Sequence, residues 1–336
     1  MKNYLPKKML VTGGAGFIGS HYVHYALAKY PQLHIVNLDL LTYAGTLKNL
    51  ADLPDPSRHH FIQGNICDKK LVLQILEQQQ IDTIVHFAAE SHVDRSIEGP
   101  TLFVETNIMG TLSLLEAARH YWLAQKKWSA EQCRFHHIST DEVYGTLSEN
   151  DPPFTETTPY APNSPYSASK AGSDHLVRAY FETYKLPVTI TNCSNNYGPN
   201  QHLEKLIPTI IRSCLENKPI PIYGNGSNRR DWLYVENHCS AIDTVIQKAA
   251  IGQSYNVGGN AEYPNLAIAK KICMLLNQIV PGSQPYENLI TFVKDRAGHD
   301  WRYGMNINKI SQDLGWQPAT MLEEGLLKTI HSFVKI

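Results

Sequence analysis

The sequence predicts an α/β protein built on a doubly wound parallel sheet, to which a smaller mixed α/β lobe is added. Over the first two thirds of the 336 residues, short apolar runs alternate with helical stretches, and this alternation is typical of βαβ units. The last third is punctuated by Pro and Gly and its elements are predicted to be short, which indicates a lobe over the mouth of the sheet. Such sheets bind ligands at the carboxyl ends of their strands, so we expect the functional residues there.

The elements of the sheet domain are predicted from apolar runs and helical periodicity. The predicted strands cover residues 8–12, 34–39, 60–63, 83–87, 133–139, 188–193 and 254–257. The predicted helices cover residues 17–29, 71–79, 102–122, 167–184 and 238–249. Residues 1–196 with about 238–260 are therefore assigned to the sheet domain, and about 197–237 with 261–336 to the smaller lobe.

Composition and charge narrow the classes of function. Apolar residues make up 43% of the chain, enough for a sizeable core, and the formal net charge of −1 favours neither nucleic acid nor an anionic membrane surface. The N-terminus lacks the apolar stretch of a secretory signal, and no apolar run approaches the length of a membrane span. The six cysteines are scattered without a C-x-x-C pair. These features predict a cytoplasmic protein with reduced thiols. They do not exclude the binding of a small anionic ligand.

A Gly-rich segment follows the first predicted strand and opens the first predicted helix. Gly13, Gly16 and Gly19 suit a tight turn, a close approach of backbone to a pyrophosphate, and close packing of helix on strand. The helix N-terminus then presents N–H groups to phosphates. Asp39 ends the second predicted strand, where it can bind adenosine ribose hydroxyls and would repel a 2′-phosphate. The spacing predicts NAD rather than NADP, although the glycines alone could form a structural turn.

Two groups of polar residues predict the chemistry. Tyr166 and Lys170 lie four residues apart on a predicted helix, where an ammonium beside a phenol would lower the pKa of the phenol and make it a base near neutral pH. The fifth predicted strand delivers Thr140, Asp141 and Glu142 to the ligand edge. Two adjacent carboxylates exceed the needs of hydride transfer and suit the acid and base of a water elimination. Taken alone, each group also has an ordinary structural interpretation, such as a helix N-cap for the acidic pair.

Several segments together resemble the signature of dTDP-glucose 4,6-dehydratases, and the Gly-x-x-Gly-x-x-Gly spacing resembles that of the wider short-chain dehydrogenase/reductase superfamily. The matching segments are DLLTYAG at 39–45, HFAAESHVDRS at 86–96, TDEVYG at 140–145, YSASK at 166–170, NCSNNYGP at 192–199, RDW at 230–232 and DRAGHD at 295–300. The resemblance spans nearly the whole chain. It implies a Rossmann-like NAD-binding domain, with the smaller lobe binding a nucleotide sugar.

The resemblance also implies a three-step reaction that leaves NAD oxidised at its end. Tyr166 takes the proton of the sugar 4-hydroxyl while hydride leaves C4, Lys170 tunes the phenol and holds the nicotinamide ribose, and Thr140 hydrogen-bonds the 4-oxygen. Glu142 then removes the C5 proton, and Asp141 protonates the departing 6-hydroxyl. Hydride finally returns to C6 and C5 is reprotonated. The implied product is dTDP-4-keto-6-deoxyglucose.

Binding residues are implied by the same resemblance. Besides Tyr166 and Lys170, those implied for NAD are Gly13, Gly16, Phe17, Ile18, Gly19, Asp39, Thr42, Asn65, Ile66, Ala88, Ala89, Ser91 and Thr106. Those implied for the nucleotide sugar are Ser91, Thr140, Asn196, Lys205, Pro221, Tyr223, Arg230, Asn265, Arg296 and His299. The sequence departs from the family pattern at Asn65, where an Asp often contacts the adenine amine, at Asn237, where Asp is usual, and at Trp301.

A homodimer is the remaining implication. The family pairs its two long helices into a four-helix bundle, so Leu112, Leu115, Tyr121 and Phe181 are candidates for either the interface or the core.

Several alternatives stay open. UDP-glucose or CDP-glucose could replace dTDP-glucose, because uracil and thymine differ by one methyl group, which a pocket discriminates only modestly. A nucleotide-sugar 4-epimerase would not need the pair Asp141 and Glu142, and a non-catalytic NAD-binding protein on the same fold would not need Tyr166 or Lys170. His92 and Asp94 could be metal ligands, but the absence of a third ligand at suitable spacing leads us to predict no metal.

Overall fold

A seven-stranded sheet forms the centre of the molecule in this computed structural model, which describes residues 3–295 and 298–334. The described strands are β1 Lys8–Thr12, β2 His34–Asp39, β3 His59–Gln63, β4 Thr83–His86, β5 Arg134–Thr140, β6 Val188–Cys193, β7 Asn195–Tyr197, β8 Ile220–Tyr223, β9 Arg229–Tyr234, β10 Ser254–Val257, β11 Glu262–Pro264 and β12 Ile290–Val293. The large sheet has the strand order β3-β2-β1-β4-β5-β6-β10, and every pair of neighbouring strands in it is parallel. The predicted fold class is therefore confirmed.

The described helices connect these strands and add to the lobe. They are α1 Phe17–Lys29, α2 Lys69–Gln78, α3 Val93–Glu98, α4 Pro100–Phe103, α5 Gly110–Ala118, α6 Pro165–Tyr184, α7 Leu206–Leu215, α8 Val235–Lys248, α9 Asn265–Ile279, α10 Asn308–Leu314 and α11 Leu322–Phe333. Helical turns of the π type, Val104–Met109 and Arg119–Gln125, flank α5. The long helix predicted at 102–122 thus extends in both directions. No helix of the described chain has both the length and the apolar content that crossing a membrane requires.

Helices cover both faces of the large sheet. On one face, α2, α5 and α6 pack around Leu115, Trp122 and Val177. On the other face, α1 and α8 pack through Tyr22 and Ile242. Burial on both faces explains why the strands appear in the sequence as continuous apolar runs.

The candidates for the dimer interface separate by burial. Leu115 is 0% and Tyr121 1% exposed, so both belong to the core of the sheet domain. Leu112 and Phe181 are only partly buried and pack at the edge of that core.

The smaller lobe has a core of its own. A three-stranded sheet of order β11-β9-β7 and a parallel pair, β12 and β8, pack with α7, α9 and α11 around residues such as Ile211 and Ile272. The expectation that elements of the last third are short is wrong for the helices, since α9 has 15 residues and α11 has 12. Proline does not break them: Pro208 lies in the first turn of α7 and Pro264 directly precedes α9, where a missing N–H costs little.

Candidate active site

Strands of the large sheet end at one cleft. The carboxyl ends of β1, β2, β4, β5 and β6 lead into the segments that line it. Its volume is about 1020 Å³, at the upper end of the range for small-molecule sites, so the cleft suits one large ligand or two adjacent ligands.

Most residues predicted for the site line this cleft. They are the catalytic candidates Thr140, Asp141, Glu142, Tyr166 and Lys170, the cofactor candidates Gly13, Gly16, Phe17, Ile18, Gly19, Asp39, Thr42, Asn65, Ile66, Ala88, Ala89, Ser91 and Thr106, and the substrate candidates Ser91, Asn196 and Lys205. The described residues Pro221, Tyr223, Arg230, Asn265 and His299 lie outside its wall. Arg296 lies outside the described residues.

The Gly-rich turn packs tightly against the segment after β4. Gly13 has a φ of +72°, and a Cβ on it would lie 2.6 Å from the backbone nitrogen of Ala88. A Cβ on Gly19 would lie 2.3 Å from the carbonyl oxygen of Gly13. No side chain caps α1, whose N-cap residue is Gly16, so the first N–H groups of this helix are left to a ligand or to solvent. The turn therefore fits the diphosphate of a dinucleotide.

We expect Gly13→Ala to weaken both the fold and NAD binding. A left-handed residue with a Cβ costs about 1–2 kcal/mol, and overlap with the backbone of Ala88 adds to that cost. Gly315→Ala is a matched control, because Gly315 has a φ of +70° and no neighbouring atom within 4 Å of the added Cβ. Urea unfolding and calorimetric titration with NAD would measure both effects. Equal losses of stability and affinity in the two variants would show that the close approach at Gly13 has no role.

Asp39 is held rigidly at the end of β2. Its Oδ2 accepts a hydrogen bond from the N–H of Ala15 at 2.9 Å, and its Oδ1 accepts one from the N–H of Leu41 at 2.8 Å. The side chain lines the cleft, although the residue is only 8% exposed. A negative charge fixed there favours ribose hydroxyls over a 2′-phosphate.

Three consecutive polar residues enter the cleft where β5 ends. Thr140 ends the strand, and one 3-10 turn, Asp141–Tyr144, follows at once. The Oγ1 of Thr140 accepts from the N–H of Glu142 at 3.3 Å and donates to Oδ1 of Asp141 at 3.2 Å. These bonds fix the direction in which the two carboxyl groups leave the backbone.

The two carboxyl groups occupy different environments. Asp141 is 2% exposed, and burial, together with the charge of Glu142, raises the pKa of Asp141 well above its usual value. Burial therefore favours the protonated form of Asp141, whereas Glu142 is half-buried. Neighbouring carboxyl groups in such different surroundings are suited to separate acid and base roles.

Tyr166 lies in the first turn of α6, which a capping box of Ser164 and Ser167 fixes. Burial and the charge of Glu142 raise the pKa of Tyr166 well above 10, although a hydrogen bond with Thr140 opposes this. The predicted lowering of the pKa of Tyr166 is therefore wrong when only the groups of the protein are considered. Burial disfavours the phenolate, and the ammonium of Lys170 donates to a backbone carbonyl oxygen.

Lys170 lies one helical turn beyond Tyr166 and is 5% exposed. Its Nζ donates to the carbonyl oxygen of Ile138 at 2.7 Å. Burial lowers the pKa of Lys170, and the charge of Asp174 opposes this. The ammonium is thus anchored to β5 on the floor of the cleft.

Arg230 makes its contacts within the protein. It is 7% exposed, and its guanidinium lies 4.1 Å from the centre of the Tyr303 ring. It donates to the carbonyl oxygens of Arg229, Asp300 and Trp301. Its predicted contact with a diphosphate stays a prediction.

Two substrate candidates on the cleft wall also bond to the protein. The Nδ2 of Asn196 donates to the carbonyl oxygen of Ser194 at 2.9 Å, and its Oδ1 lies 2.9 Å from Nδ1 of His238. The Nζ of Lys205 donates to the carbonyl oxygen of Ser91 at 3.2 Å. The lysine thereby joins two loops that border the cleft.

The other substrate candidates belong to the lobe. Pro221 and Tyr223 are exposed on β8, and the rings of Tyr223 and His299 meet edge to face at 6.2 Å. The Nδ1 of His299 lies 2.6 Å from Oδ1 of Asp295. Asn265 begins α9, and its Oδ1 is buried.

His92, a candidate metal ligand together with Asp94, lies near two carboxylates. The Nε2 of His92 lies 3.5 Å from Oε2 of Glu204, and its Nδ1 lies 4.0 Å from Oδ2 of Asp94. No cluster of three His, Cys, Asp or Glu side chains suited to a metal ion occurs among the described residues.

Residues behind the catalytic pair were missed in the sequence. Asp174 is buried beside Lys170 and accepts hydrogen bonds from Ser139, Tyr160 and Asn192. A signal for Asp174 exists, because it extends the i, i+4 spacing of Tyr166 and Lys170 by one further turn. Tyr160 and Asn192 carry no such local signal.

The fold and the cleft define the class of protein. A doubly wound sheet with the Gly-x-x-Gly-x-x-Gly turn after β1, and with Tyr166 and Lys170 beside the end of β5, is the arrangement of an extended short-chain dehydrogenase/reductase. In agreement, a model of the family described as GDP-mannose 4,6 dehydratase matches residues 10–329.

Similarity to individual proteins narrows the class. The dTDP-glucose 4,6-dehydratase of Xanthomonas campestris pv. campestris (strain B100) is 54% identical over 323 residues, which are 96% of this chain and 91% of that protein. The protein of the same name from Salmonella typhimurium is 52% identical over 335 residues, 97% of this chain and 92% of the relative. This chain therefore belongs to the dTDP-glucose 4,6-dehydratases, within the GDP-mannose 4,6 dehydratase family.

Solved structures give the same result. The dTDP-glucose 4,6-dehydratase from Bacillus anthracis in complex with NAD superposes with a TM-score of 0.85 at 42% identity, covering 97% of this chain and 96% of that one. DesIV, a dTDP-glucose 4,6-dehydratase from Streptomyces venezuelae with NAD and TYD bound, superposes with a TM-score of 0.87 at 44% identity and the same coverage.

Proposed function

We propose that this protein is an NAD-dependent dTDP-glucose 4,6-dehydratase, a hydro-lyase that removes water across C5 and C6 to give dTDP-4-keto-6-deoxyglucose. One observation carries the proposal: the buried Asp141, whose pKa burial raises, and the half-buried Glu142 share a cleft with Tyr166 and Lys170. Oxidation and reduction of a sugar need only the tyrosine and the lysine. An acid and a base beyond these two are what an elimination of water requires.

The cofactor is NAD in this proposal. The turn at Gly13, the uncapped start of α1 and the carboxylate of Asp39 would hold its adenosine and diphosphate, and Lys170 would hold the nicotinamide ribose. When bound, NAD supplies a hydride acceptor for C4, a hydride donor for C6 and a positive charge that favours the phenolate of Tyr166. Residues 1–196 with about 238–260 form the proposed NAD-binding domain.

Tyr166 is the proposed base for the 4-hydroxyl. The phenol lies beside Thr140, which hydrogen-bonds it and can hold the 4-oxygen of the sugar at the same place. Because burial raises the pKa of the phenol, Tyr166 also returns the proton readily once the 4-oxygen carries negative charge.

Glu142 and Asp141 are the proposed base and acid of the elimination. The half-buried Glu142 takes the proton from C5, which a ketone at C4 makes acidic. The neutral Asp141 gives its proton to the 6-hydroxyl as that group leaves. Oδ2 of Asp141 is buried with no hydrogen-bond partner among the described residues, so it is available to a substrate oxygen.

The nucleotide end of the substrate is assigned to the lobe, about 197–237 with 261–336. Ser91, Asn196 and Lys205 on the cleft wall are the proposed contacts near the sugar and the diphosphate. Further contacts proposed by resemblance are Pro221, Tyr223, Arg230, Asn265, Arg296 and His299.

The cysteines support a cytoplasmic location. All six are free thiols, and five of them are buried. Proteins that work in oxidising compartments commonly use their cysteines as disulfides. A nucleotide-sugar substrate is consistent with this compartment.

A homodimer is the proposed assembly. Ile97, Leu102 and Val104 are 44%, 52% and 46% exposed on neighbouring helices of the sheet domain. Exposed apolar side chains on adjacent helices support an interface there. The helices that carry them adjoin α5 and α6, which the family resemblance assigns to a four-helix bundle.

We expect Leu102→Glu to separate the dimer. An unpaired charge buried in an apolar interface should weaken association at least about 100-fold, because such a charge costs several kcal/mol. Met321→Glu is the control, since Met321 is 61% exposed at the start of α11 in the other lobe. Light scattering after size exclusion gives the mass of each variant. A wild-type monomer, or a dimer that survives Leu102→Glu, would contradict the proposed interface.

Mass spectrometry tests the proposed reaction. Purified protein is incubated with dTDP-glucose and, separately, with UDP-glucose, first without and then with added NAD. Loss of one water from dTDP-glucose alone is the expected result. Loss from UDP-glucose instead would keep the reaction and change the substrate. Loss from neither, even with added NAD, would overturn the proposed function.

A further inference from the structure

An acidic residue lies directly behind the catalytic pair. Asp174 follows Lys170 by four residues and Tyr166 by eight on α6, so the three side chains share one face of the helix. Asp174 is 2% exposed and does not line the cleft. Its carboxylate therefore acts on the site through Lys170 and not through contact with a ligand.

Side chains from three segments hold this carboxylate. Oδ2 of Asp174 accepts hydrogen bonds from Oγ of Ser139 at 2.7 Å and from the hydroxyl of Tyr160 at 3.0 Å. The Nδ2 of Asn192 donates to the same oxygen at 3.4 Å, and Nε2 of His137 lies 3.1 Å from Oδ1. Oδ1 has no hydrogen-bond partner among the described residues, so the bonds to Oδ2 and the nearby imidazole offset the cost of burying this carboxylate.

The carboxylate is ionised and its imidazole neighbour is neutral. Burial alone would raise the pKa of Asp174, but the contact with His137, a positive charge on that ring when it is protonated, the charge of Lys170 and the hydrogen bond from Ser139 lower it below its usual value. Burial lowers the pKa of His137 to about 4, so that ring is uncharged at neutral pH, and the hydrogen bonds and the charge of Lys170 are what oppose the burial of Asp174 there. A negative charge thus lies one turn from the ammonium of Lys170.

The other titratable groups around Lys170 are neutral. His86 on β4 has a pKa that burial holds well below its usual value, and burial raises the pKa of Cys193 on β6 to about 12. Burial raises the pKa of Asp141, beyond the end of β5, and that of Tyr160, so it favours the neutral form of both. The charge of Glu142 acts on the other member of the pair, since it raises the pKa of Tyr166.

We infer that Asp174 is a positioning residue of the reaction, whose buried carboxylate keeps the proton on Lys170 so that the pair of Tyr166 and Lys170 gives up its proton from the phenol. The inference rests on the proposed function of that pair. A singly deprotonated pair is either phenolate with ammonium or phenol with amine, and only the first form is a base for the sugar hydroxyl. A negative charge close to the ammonium and farther from the phenol favours the first form.

We expect Asp174→Asn to have two linked effects, one on the rate of sugar oxidation and one on its pH profile. The plateau rate of sugar oxidation should fall about tenfold, because more of the pair becomes phenol with amine. The acid limb of the pH profile should move to lower pH by about one pH unit, because the pair loses its first proton more easily without the negative charge of Asp174. A structural role alone would lower the rate without moving the limb.

Stopped-flow measurement of bound reduced nicotinamide, formed from dTDP-glucose at a series of pH values, reads both effects. Asp243→Asn is a matched control: Asp243 is 1% exposed, lies on α8 and pairs with Lys29 at 2.6 Å, away from the cleft. It should lower stability and leave the limb in place. Asp174→Ser replaces Asp174→Asn if the latter does not fold.

The outcomes separate this inference from the proposed function. A lower plateau with an unmoved limb, or failure of both Asp174 variants to fold, would overturn the positioning role. A wild type that forms no reduced nicotinamide would count against the proposed function. The positioning role is then tested without turnover, from tyrosinate absorbance measured against Tyr166→Phe in each background. A tyrosinate signal unchanged by Asp174→Asn at the pH of the wild-type plateau would overturn it.

Discussion

Glu142→Gln is expected to oxidise the sugar without removing water, so that reduced nicotinamide accumulates on the protein. Glutamine keeps the shape of the side chain but cannot accept the C5 proton, and loss of a positioned base costs about 10²- to 10⁴-fold in rate. The oxidation step should not slow, because the charge of Glu142 raises the pKa of Tyr166 and its removal eases loss of the phenol proton. Absorbance of reduced nicotinamide and the mass of the product report the two steps separately.

Glu156→Gln is the matched control for this variant. Glu156 is half-buried like Glu142 and accepts a hydrogen bond from the N–H of Asn256 at 2.8 Å, but it does not line the cleft. It should dehydrate the sugar at close to the wild-type rate. Dehydration by Glu142→Gln at the wild-type rate would remove the assignment of Glu142 as the base.

Tyr166→Phe is expected to stop the reaction before any reduced nicotinamide forms. The phenyl ring keeps its edge contact with Phe103, whose ring centre lies 6.3 Å away, so the fold should persist. The variant loses the only proposed acceptor for the proton of the 4-hydroxyl, and we expect a loss of about 10²- to 10⁴-fold in the oxidation step. Stopped-flow absorbance after mixing with dTDP-glucose measures it.

The control for the phenol is Tyr22→Phe. Tyr22 is 0% exposed, and its hydroxyl has no hydrogen-bond partner within the described chain. Its removal should keep activity and raise the free energy of unfolding by about 1 kcal/mol, because an unsatisfied buried hydroxyl is lost. Normal formation of reduced nicotinamide by Tyr166→Phe would contradict the role of Tyr166.

The sequence predicted the large sheet well because its signals are local. The bounds of the strands at 8–12, 34–39, 188–193 and 254–257 agree at both ends with the structure. Each of these runs is buried on both faces and flanked by turn residues, so its limits are visible in the chain itself. The last third was predicted less well, since its Pro and Gly content predicted short elements, whereas Pro208 and Pro264 lie at the starts of helices.

The cleft could also be predicted, because strand order brings distant segments to one edge. Gly13, Asp39 and Thr140 each follow or end a strand of the sheet, and the structure places all three on the cleft wall. For substrate contacts in the lobe, no strand order could be predicted that would bring them together. Arg230 and Tyr223 were chosen by resemblance alone, and the structure places both outside that wall.

The sequence by itself determined the fold class and the set of polar groups at the sheet edge, because both follow from spacing along the chain. Only the tertiary structure decided the protonation states of those groups. The pKa of Tyr166 is raised, against the expectation, and that of Asp141 is raised too, because elements far apart in sequence exclude water from both side chains. The spacing along α6 could have indicated Asp174, but not the hydrogen bonds that hold its carboxylate, since the donors Ser139 and Asn192 come from separate strands. Desolvation and hydrogen bonding depend on the packing of the whole fold, which no local pattern records.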